Sequence, residues 1–217
     1  MLFRSRNKNI NPLHLVSAWS SDYNLLLGQV RTETKSNEIE AIPRLLKMID
    51  IKNSLITIDA MGCQKSIAEE IIDRKGDYIL TLKDNQPTLA DNVKSIFELA
   101  KTTTYKKMHN INKIEKVKNH GRMEKRRYSL ISCKDKWSFD ARWAGMRSIG
   151  MVHVKRTINN QTTHHTRYFL TSLNYQQIDD FMRGVRNHWD IEINLHWSLD
   201  VDRKSTRLNS SHTDISR

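Results

Sequence analysis

Apolar side chains along this chain alternate between short extended runs and longer stretches with helical spacing. Two runs rich in branched and aromatic residues flank a polar tetrapeptide, which is typical of a β-hairpin. The predicted elements are a hairpin over 13–20 and 25–32, helices over 37–50, 64–75 and 88–100, and strands over 55–58 and 77–82. This alternation favours an α/β fold in which helices cover a mixed sheet.

The middle third of the chain breaks this rhythm. Residues 102–118 are polar and Lys-rich, and strands are predicted after them over 126–133, 148–157 and 166–173. We therefore interpret 102–173 as a β-rich insertion. A last helix is predicted over 175–199, where apolar residues form one stripe.

The net charge of the chain indicates a class of binding partner. With 36 Lys+Arg against 24 Asp+Glu, the 217-residue chain carries +12 at pH 7, which favours nucleic acid. The alternative is a basic protein that binds no polyanion specifically. No apolar run is long enough to span a membrane and no signal peptide opens the chain, so a cytoplasmic protein is expected. Cys63 and Cys133 lack metal-site spacing and are expected to be buried free thiols.

Asp59 is the first candidate for chemistry. It follows the predicted strand 55–58 directly and precedes a small turn. Ligand and metal sites favour the carboxyl ends of strands in α/β sheets. The alternative is that Asp59 caps the next helix, since Asp is a preferred N-cap residue.

Glu192 is the second candidate, within the predicted last helix. His188, Glu192, His196 and Asp200 step by four and would share one helical face. The same ladder could be a solvated face. It could also bind zinc, although no HExxH motif is present.

Two short runs have a composition suited to phosphate contacts. Lys83, Asn85 and Gln86 lie in a polar loop after a strand, which could equally be a plain turn. The run from His120 to Arg127 combines a glycine with four cations, although charge runs are usually solvated surface.

Five motifs together carry a family resemblance over residues 10–201. They are TKSNEI at 34–39, IDAMGCQK at 58–65, LKDNQ at 82–86, HGRMEKR at 120–126 and RNHWDIEINLHWSLDV at 186–201. With them the chain resembles the H-repeat-associated, ISAs-type insertion-sequence transposases of the DDE superfamily. The resemblance implies an RNase H-like mixed sheet flanked by helices, with the β-rich insertion before the last catalytic helix.

The resemblance also implies metal-dependent DNA cleavage and strand transfer. In such sites carboxylates hold two divalent ions, and oxygen ligands suit Mg²⁺ or Mn²⁺. Asp59 and Glu192 match two catalytic, metal-binding acids of the family. The implied partners are double-stranded DNA at transposon ends, with nucleoid association, and a second copy of the chain. The implied DNA contacts are Lys83, Asn85, Gln86, His120, Arg122, Arg126, Arg127, Arg186 and His188.

Both ends depart from the family pattern. The family's first catalytic Asp and its central strand are expected upstream of Met1, so we expect a truncated, inactive transposase whose hairpin pairs imperfectly with strand 55–58 or detaches from it. Residues 202–217 resemble a translated sequencing adapter and are expected to be non-native; the alternative is a real polar tail. Other functional interpretations are a non-catalytic DNA-binding fragment that interferes with an intact transposase, and a small independent nuclease.

Overall fold

The computed structural model describes residues 14–32, 38–83, 85–101, 108–119, 122–134 and 143–189. Its strands are β1 (His14–Ser20), β2 (Leu25–Thr32), β3 (Leu55–Ile58), β4 (Asp77–Leu82), β5 (Asn110–Asn119), β6 (Arg122–Ser132), β7 (Ser148–Ile158) and β8 (Gln161–Thr171). Its helices are α1 (Glu38–Met48), α2 (Lys65–Asp73), α3 (Pro87–Leu99) and α4 (178–189), with a 3-10 turn at Ala60–Gly62.

A six-stranded sheet in the order β3-β4-β8-β7-β6-β5 organises the fold. β3 and β4 run parallel, and every other neighbouring pair is antiparallel. Buried side chains of α2 and α3, such as Ile67 and Phe97, form one core with the sheet. Phe181 and Val185 of α4 belong to a second core that includes Ile79 of β4. This mixed sheet flanked by helices is consistent with the RNase H-like fold that the resemblance implies.

The strands within 102–173 join the main sheet instead of forming a separate layer. β8 pairs with β4 through residues 168–171, and β7, β6 and β5 continue the sheet outward. The structure differs from expectation in β5, which occupies part of the Lys-rich run over 102–118. β6 and β8 also begin four and five residues earlier than their sequence patterns predict.

The hairpin β1–β2 forms its own two-stranded sheet. It packs against α1 through Val30 and Leu45, and a side chain at Gly28 would crowd Leu45, since a Cβ there would lie 3.2 Å from the Leu45 methyl. Among the described strands, β3 pairs with β4 alone, and β1 with β2 alone. Of the two expected outcomes, imperfect pairing with β3 or detachment from it, the separate sheets agree with the second.

Both cysteines are free thiols, as expected. Cys63 is fully buried and Cys133 is half-buried, and burial raises the pKa of each to about 12. In the part of the chain that the structure describes, no helix has the length and apolar character needed to cross a membrane. His120, Glu192 and the adapter-like segment 202–217 lie outside the described residues.

Candidate functional site

Asp59 lies where the structure ends β3 and begins the 3-10 turn. Its Oδ1 accepts a hydrogen bond of 2.6 Å from the Ala60 N–H, so the predicted capping role is present, although the carboxylate caps the turn and not α2. The side chain is 71% exposed. Among the described residues, no hydrogen bond or ion pair occupies Oδ2, which leaves one carboxylate oxygen available to a ligand.

The turn after Asp59 is held by close packing beneath it. A Cβ added at Gly62 would lie 2.3 Å from the Ile58 side chain and 2.8 Å from that of Ile42. Only glycine fits there without a shift of these side chains. The packing of β3 and α1 thus fixes the backbone that presents the carboxylate.

The loop after β4 meets the same turn. The Lys83 ammonium lies 3.9 Å from Asp59 Oδ1, and both groups are well exposed. Asn85 donates to the Ala60 carbonyl at 2.5 Å, and Gln86 donates to the Cys63 carbonyl at 3.4 Å. Because β3 and β4 are parallel, their carboxyl ends meet at one sheet edge, and the structure brings these three predicted residues together with Asp59.

Helix α4 approaches β3 closely on the opposite side of the sheet from α2. A Cβ at Gly184 would lie 2.8 Å from Ile79, 3.1 Å from Leu55 and 3.5 Å from Thr57. One turn later, His188 Nδ1 and the Thr57 hydroxyl are 3.1 Å apart and share a hydrogen bond. Thr57 is two residues before Asp59, so the structure brings His188 to the strand that carries the candidate carboxylate.

Ion pairs and a stacked tryptophan hold the other side of α4 against the sheet. Arg186 donates to Glu115 of β5 at 2.6 Å. The guanidinium groups of Arg126 and Arg167 lie 5.3 and 5.1 Å from the Trp189 ring centre, within cation–π range. Arg186 and Arg126, both predicted DNA contacts, therefore have structural partners.

Glu124 was not singled out by its sequence, yet it anchors a buried charge cluster. Its side chain is only 4% exposed and pairs with Arg122, with Arg126 at 2.8 Å and with Arg156 at 3.4 Å. Burial alone raises the pKa of the Glu124 carboxyl, but hydrogen bonds from Arg126 and Arg122 hold it below its usual range. The sequence does hold one signal: Glu124 lies at the same alternate positions of β6 as Tyr128 and Leu130, so its side chain should point to the same buried face.

The predicted cation cluster of β6 is divided between two faces. Successive side chains of a strand point to opposite faces, so Arg122 and Arg126 lie on the face of Glu124 while Arg127 lies on the other. Arg127 is exposed, and it makes no ion pair with any described residue. Within the described ranges, no group of three or more His, Cys, Asp and Glu side chains is placed to hold a metal ion.

Comparison with known proteins identifies a family and several relatives of this chain. The family described as "Transposase DDE domain" matches residues 3–213. The chain is 37% identical over 200 residues to "Putative transposase YncI" of Escherichia coli O157:H7, covering 90% of this chain and 50% of that protein. It is 36% identical over 201 residues to "H repeat-associated putative transposase YhhI" of Escherichia coli strain K12, covering 90% and 52%. The chain thus spans about half the length of the curated relatives it matches.

Proposed function

The chain belongs to the family of transposase DDE domains, and we propose that it supplies two carboxylates and a DNA-contacting surface to metal-dependent DNA cleavage and strand transfer. The activity of a whole transposase is part of this proposal, because the chain spans about half of its curated relatives. The observation that carries the proposal is the path of α4 beside β3.

Helix α4 runs alongside β3 in the direction of Asp59. Gly184 lies against Leu55 and Thr57, and His188 bonds Thr57 one turn later. Four helical residues advance about 6 Å and two strand residues about 6.6 Å, so equivalent contacts recur along both elements. Glu192 follows His188 by four positions. We therefore expect the Glu192 carboxyl beside Asp59, within roughly 8 Å.

The donors at this site fit a hard divalent cation. Asp59 offers a carboxylate oxygen at an exposed sheet edge, and Glu192 would offer a second carboxylate. When bound, Mg²⁺ or Mn²⁺ would activate the attacking hydroxyl and stabilise the leaving oxygen of a phosphodiester. A third carboxylate is expected from the family's upstream strand.

The residues around Asp59 position it for this task. Asn85 and Gln86 fix the turn through its carbonyl groups, which holds the carboxylate at the sheet edge. The Lys83 ammonium balances the Asp59 charge at 3.9 Å and lies where it could also meet a DNA phosphate. His188, bonded to Thr57, fixes the rotation of α4 against β3, and a helix continuing with that rotation would direct Glu192 toward Asp59.

Chemical crosslinking tests the expected proximity without relying on activity. Asp59→Cys/Glu192→Cys should form an intramolecular crosslink with a short bismaleimide, because we expect the two positions to lie close together. The native thiols should compete little for the reagent, since Cys63 is buried, Cys133 is half-buried and burial raises the pKa of both. Asp91→Cys/Glu192→Cys is the matched control, with Asp91 exposed on α3. Equal crosslinking of both pairs, or of neither, would refute the proximity of Asp59 and Glu192.

Metal titration tests the donor set. The Mn²⁺ affinity of the 217-residue chain should fall about tenfold or more in Asp59→Asn, judged against the loss seen when even outer partners of a metal are removed. Asp91→Asn should leave it unchanged. If the two variants bind Mn²⁺ alike, Asp59 is not a ligand.

We also propose that the 217-residue chain alone has no nuclease or strand-transfer activity with Mg²⁺ or Mn²⁺. Losing a group that acts only in the transition state lowers the rate by orders of magnitude, and no stretch of this sequence matches the one that carries the family's first catalytic Asp. A supercoiled-plasmid nicking assay measures this. Metal-dependent nicking that disappears in Asp59→Ala would show that other acids complete the site.

A further inference from the structure

The outer parts of β5, β6, β7 and β8 form a four-stranded sheet that extends past β3 and β4. β4 pairs only with residues 168–171 of β8, whereas the ladders among β5, β6, β7 and β8 run ten or eleven pairs. This outer sheet has two faces of different character. Helix α4 packs on one face, and the other face carries five exposed cations, Lys116, Lys118, Lys125, Arg127 and Lys155, which we call the lysine face.

The two faces differ in their acidic residues. Within β5, β6, β7 and β8 the acids are Glu115 and Glu124, and the strand register puts both on the face that packs α4. There they pair with Arg122, Arg126, Arg156 and Arg186. On the lysine face, no described residue forms an ion pair with any of the five cations. Glu98 at the end of α3 borders this face, and Lys101 pairs with it at 2.7 Å.

The lysines of this face stand directly opposite one another. Lys116 pairs in register with Lys125, and Lys125 with Lys155, so three like charges form one row across adjacent strands. Like charges directly opposite on neighbouring strands destabilise a sheet. Sequences that break such a local rule commonly do so at functional sites. The row therefore indicates a ligand that neutralises it.

The spacing of the charges fits a chain of phosphates. Adjacent strands are about 4.8 Å apart and alternate residues about 6.8 Å apart, so the cations form a grid roughly 10 Å across three strands. A polyanion with closely spaced charges can meet several of them together, and duplex DNA carries one charge per about 1.7 Å of its axis. Lysines bind phosphate as point charges and read no base sequence.

We propose that the lysine face binds the phosphate backbone of double-stranded DNA. This inference rests on the proposed function and deepens it, because it identifies a sequence-independent contact surface separate from the carboxylates. It also distinguishes Arg127, which the face contains, from Arg122 and Arg126, which already pair with Glu124.

Salt-dependent binding to a 30-base-pair duplex of arbitrary sequence tests the proposal. The variant Lys116→Gln/Lys125→Gln/Lys155→Gln removes the row. Its matched control, Lys47→Gln/Lys52→Gln/Lys94→Gln, removes three exposed lysines from elsewhere on the chain. Each lost phosphate contact lowers the slope of log K against log salt by about 0.9, so the row variant should lose about 2 to 3 units of slope and the control much less.

A charge-preserving variant controls for loss of binding that is caused by misfolding. Lys116→Arg/Lys125→Arg/Lys155→Arg keeps the row positive and should keep the wild-type slope. The row-to-Gln variant should also retain its thermal midpoint, since it removes a like-charge contact. A row-to-Arg variant that loses the slope as fully as the Gln variant would overturn the proposal.

The outcomes separate this proposal from the proposed function. Equal loss of slope in the row variant and in the control overturns the lysine face and leaves DNA binding by the chain intact. Wild-type chain that shows no salt-dependent binding refutes the DNA-contacting surface and the lysine face with it. Competition by poly-glutamate as strong as by duplex DNA would overturn DNA as the occupant of this face.

Discussion

Replacing Glu124 by Gln should destabilise the protein more than replacing any exposed carboxylate. The side chain is 4% exposed and pairs with three arginines. Glu124→Gln keeps the shape and an acceptor oxygen but removes the negative charge among them. The uncompensated positive charges, rather than a cavity, would be the cause of the loss.

The partners set the magnitude. Removing one member of a buried ion pair typically costs about 3 to 5 kcal/mol. Arg122 and Arg156 are 42% and 39% exposed, so they can turn toward water and recover part of this cost. Arg126 is 18% exposed and keeps Glu115, at 3.7 Å, as its one remaining carboxylate partner among the described residues. We therefore expect a loss of about 2 to 3 kcal/mol, at or below the lower limit of that range.

Urea denaturation at pH 7, followed by circular dichroism, measures the change in the free energy of unfolding. Glu98→Gln is the control, because Glu98 is 56% exposed and its ion pair with Lys101 should contribute less than about 0.5 kcal/mol. A Glu124→Gln variant that unfolds within 0.5 kcal/mol of the wild type at pH 7 would refute this account of the cluster.

The stability difference between the wild type and Glu124→Gln should also depend on pH. Because arginine hydrogen bonds lower the pKa of Glu124 in the folded state, its contribution is fully present above the unfolded pKa of about 4.3. That contribution is lost as the pH falls through the lower folded value. The stability difference between wild type and Glu124→Gln should therefore shrink below about pH 4. A difference that stays constant down to pH 3 would contradict the ion-pair mechanism.

Two further predictions concern α4 and the lysine face. Gly184→Ala should destabilise the chain by about 1 to 3 kcal/mol in urea, because its Cβ would meet Ile79 at 2.8 Å; an unchanged midpoint would mean that α4 is not closely seated. Burial, followed by the neighbouring His164, Arg127 and Lys101 charges, lowers the pKa of His153 from its ordinary value, so DNA affinity at fixed salt should rise once the pH falls below the ordinary histidine pKa of about 6.5. His153→Gln should reduce that rise, and an equal rise in both proteins would exclude His153 as its source.

The sequence predicts the elements around Asp59 well because each is a local pattern. The strand 55–58 is a short apolar run ending on a carboxylate, and α2 begins and ends close to the predicted positions. By contrast, β5 lacks the expected alternation, since its apolar residues Ile111, Ile114 and Val117 recur every third position. The inward position of its Glu115 depends on Arg126 of β6 and Arg186 of α4, which pair with that carboxylate. No local pattern contains that information.

In the candidate site, too, some features follow from local sequence patterns and others depend on contacts between distant residues. The meeting of Asp59 with Lys83 follows from the parallel ends of β3 and β4; the sequence predicts these two strands and the helix between them, but not their pairing. The split of Arg122, Arg126 and Arg127 also follows from strand alternation, but only once that run is known to be a strand and its neighbours are known. The role of Glu124 needed the full sheet. The catalytic assignments of Asp59 and Glu192 and all of the predicted DNA contacts remain predictions.

The hairpin β1–β2 should unfold locally at a lower free energy than the main sheet. Its backbone hydrogen bonds close on themselves, and its small core with α1 is separate from the two cores of the main sheet. Parts of a protein joined by so few buried contacts can open while the rest stays folded. Amide protons of β1 and β2 should then exchange with solvent deuterium as one group, well before those of β4 and β8, whose ladder is buried among both cores. The hairpin β1–β2 would thus behave as a separate cooperative unit in the native state.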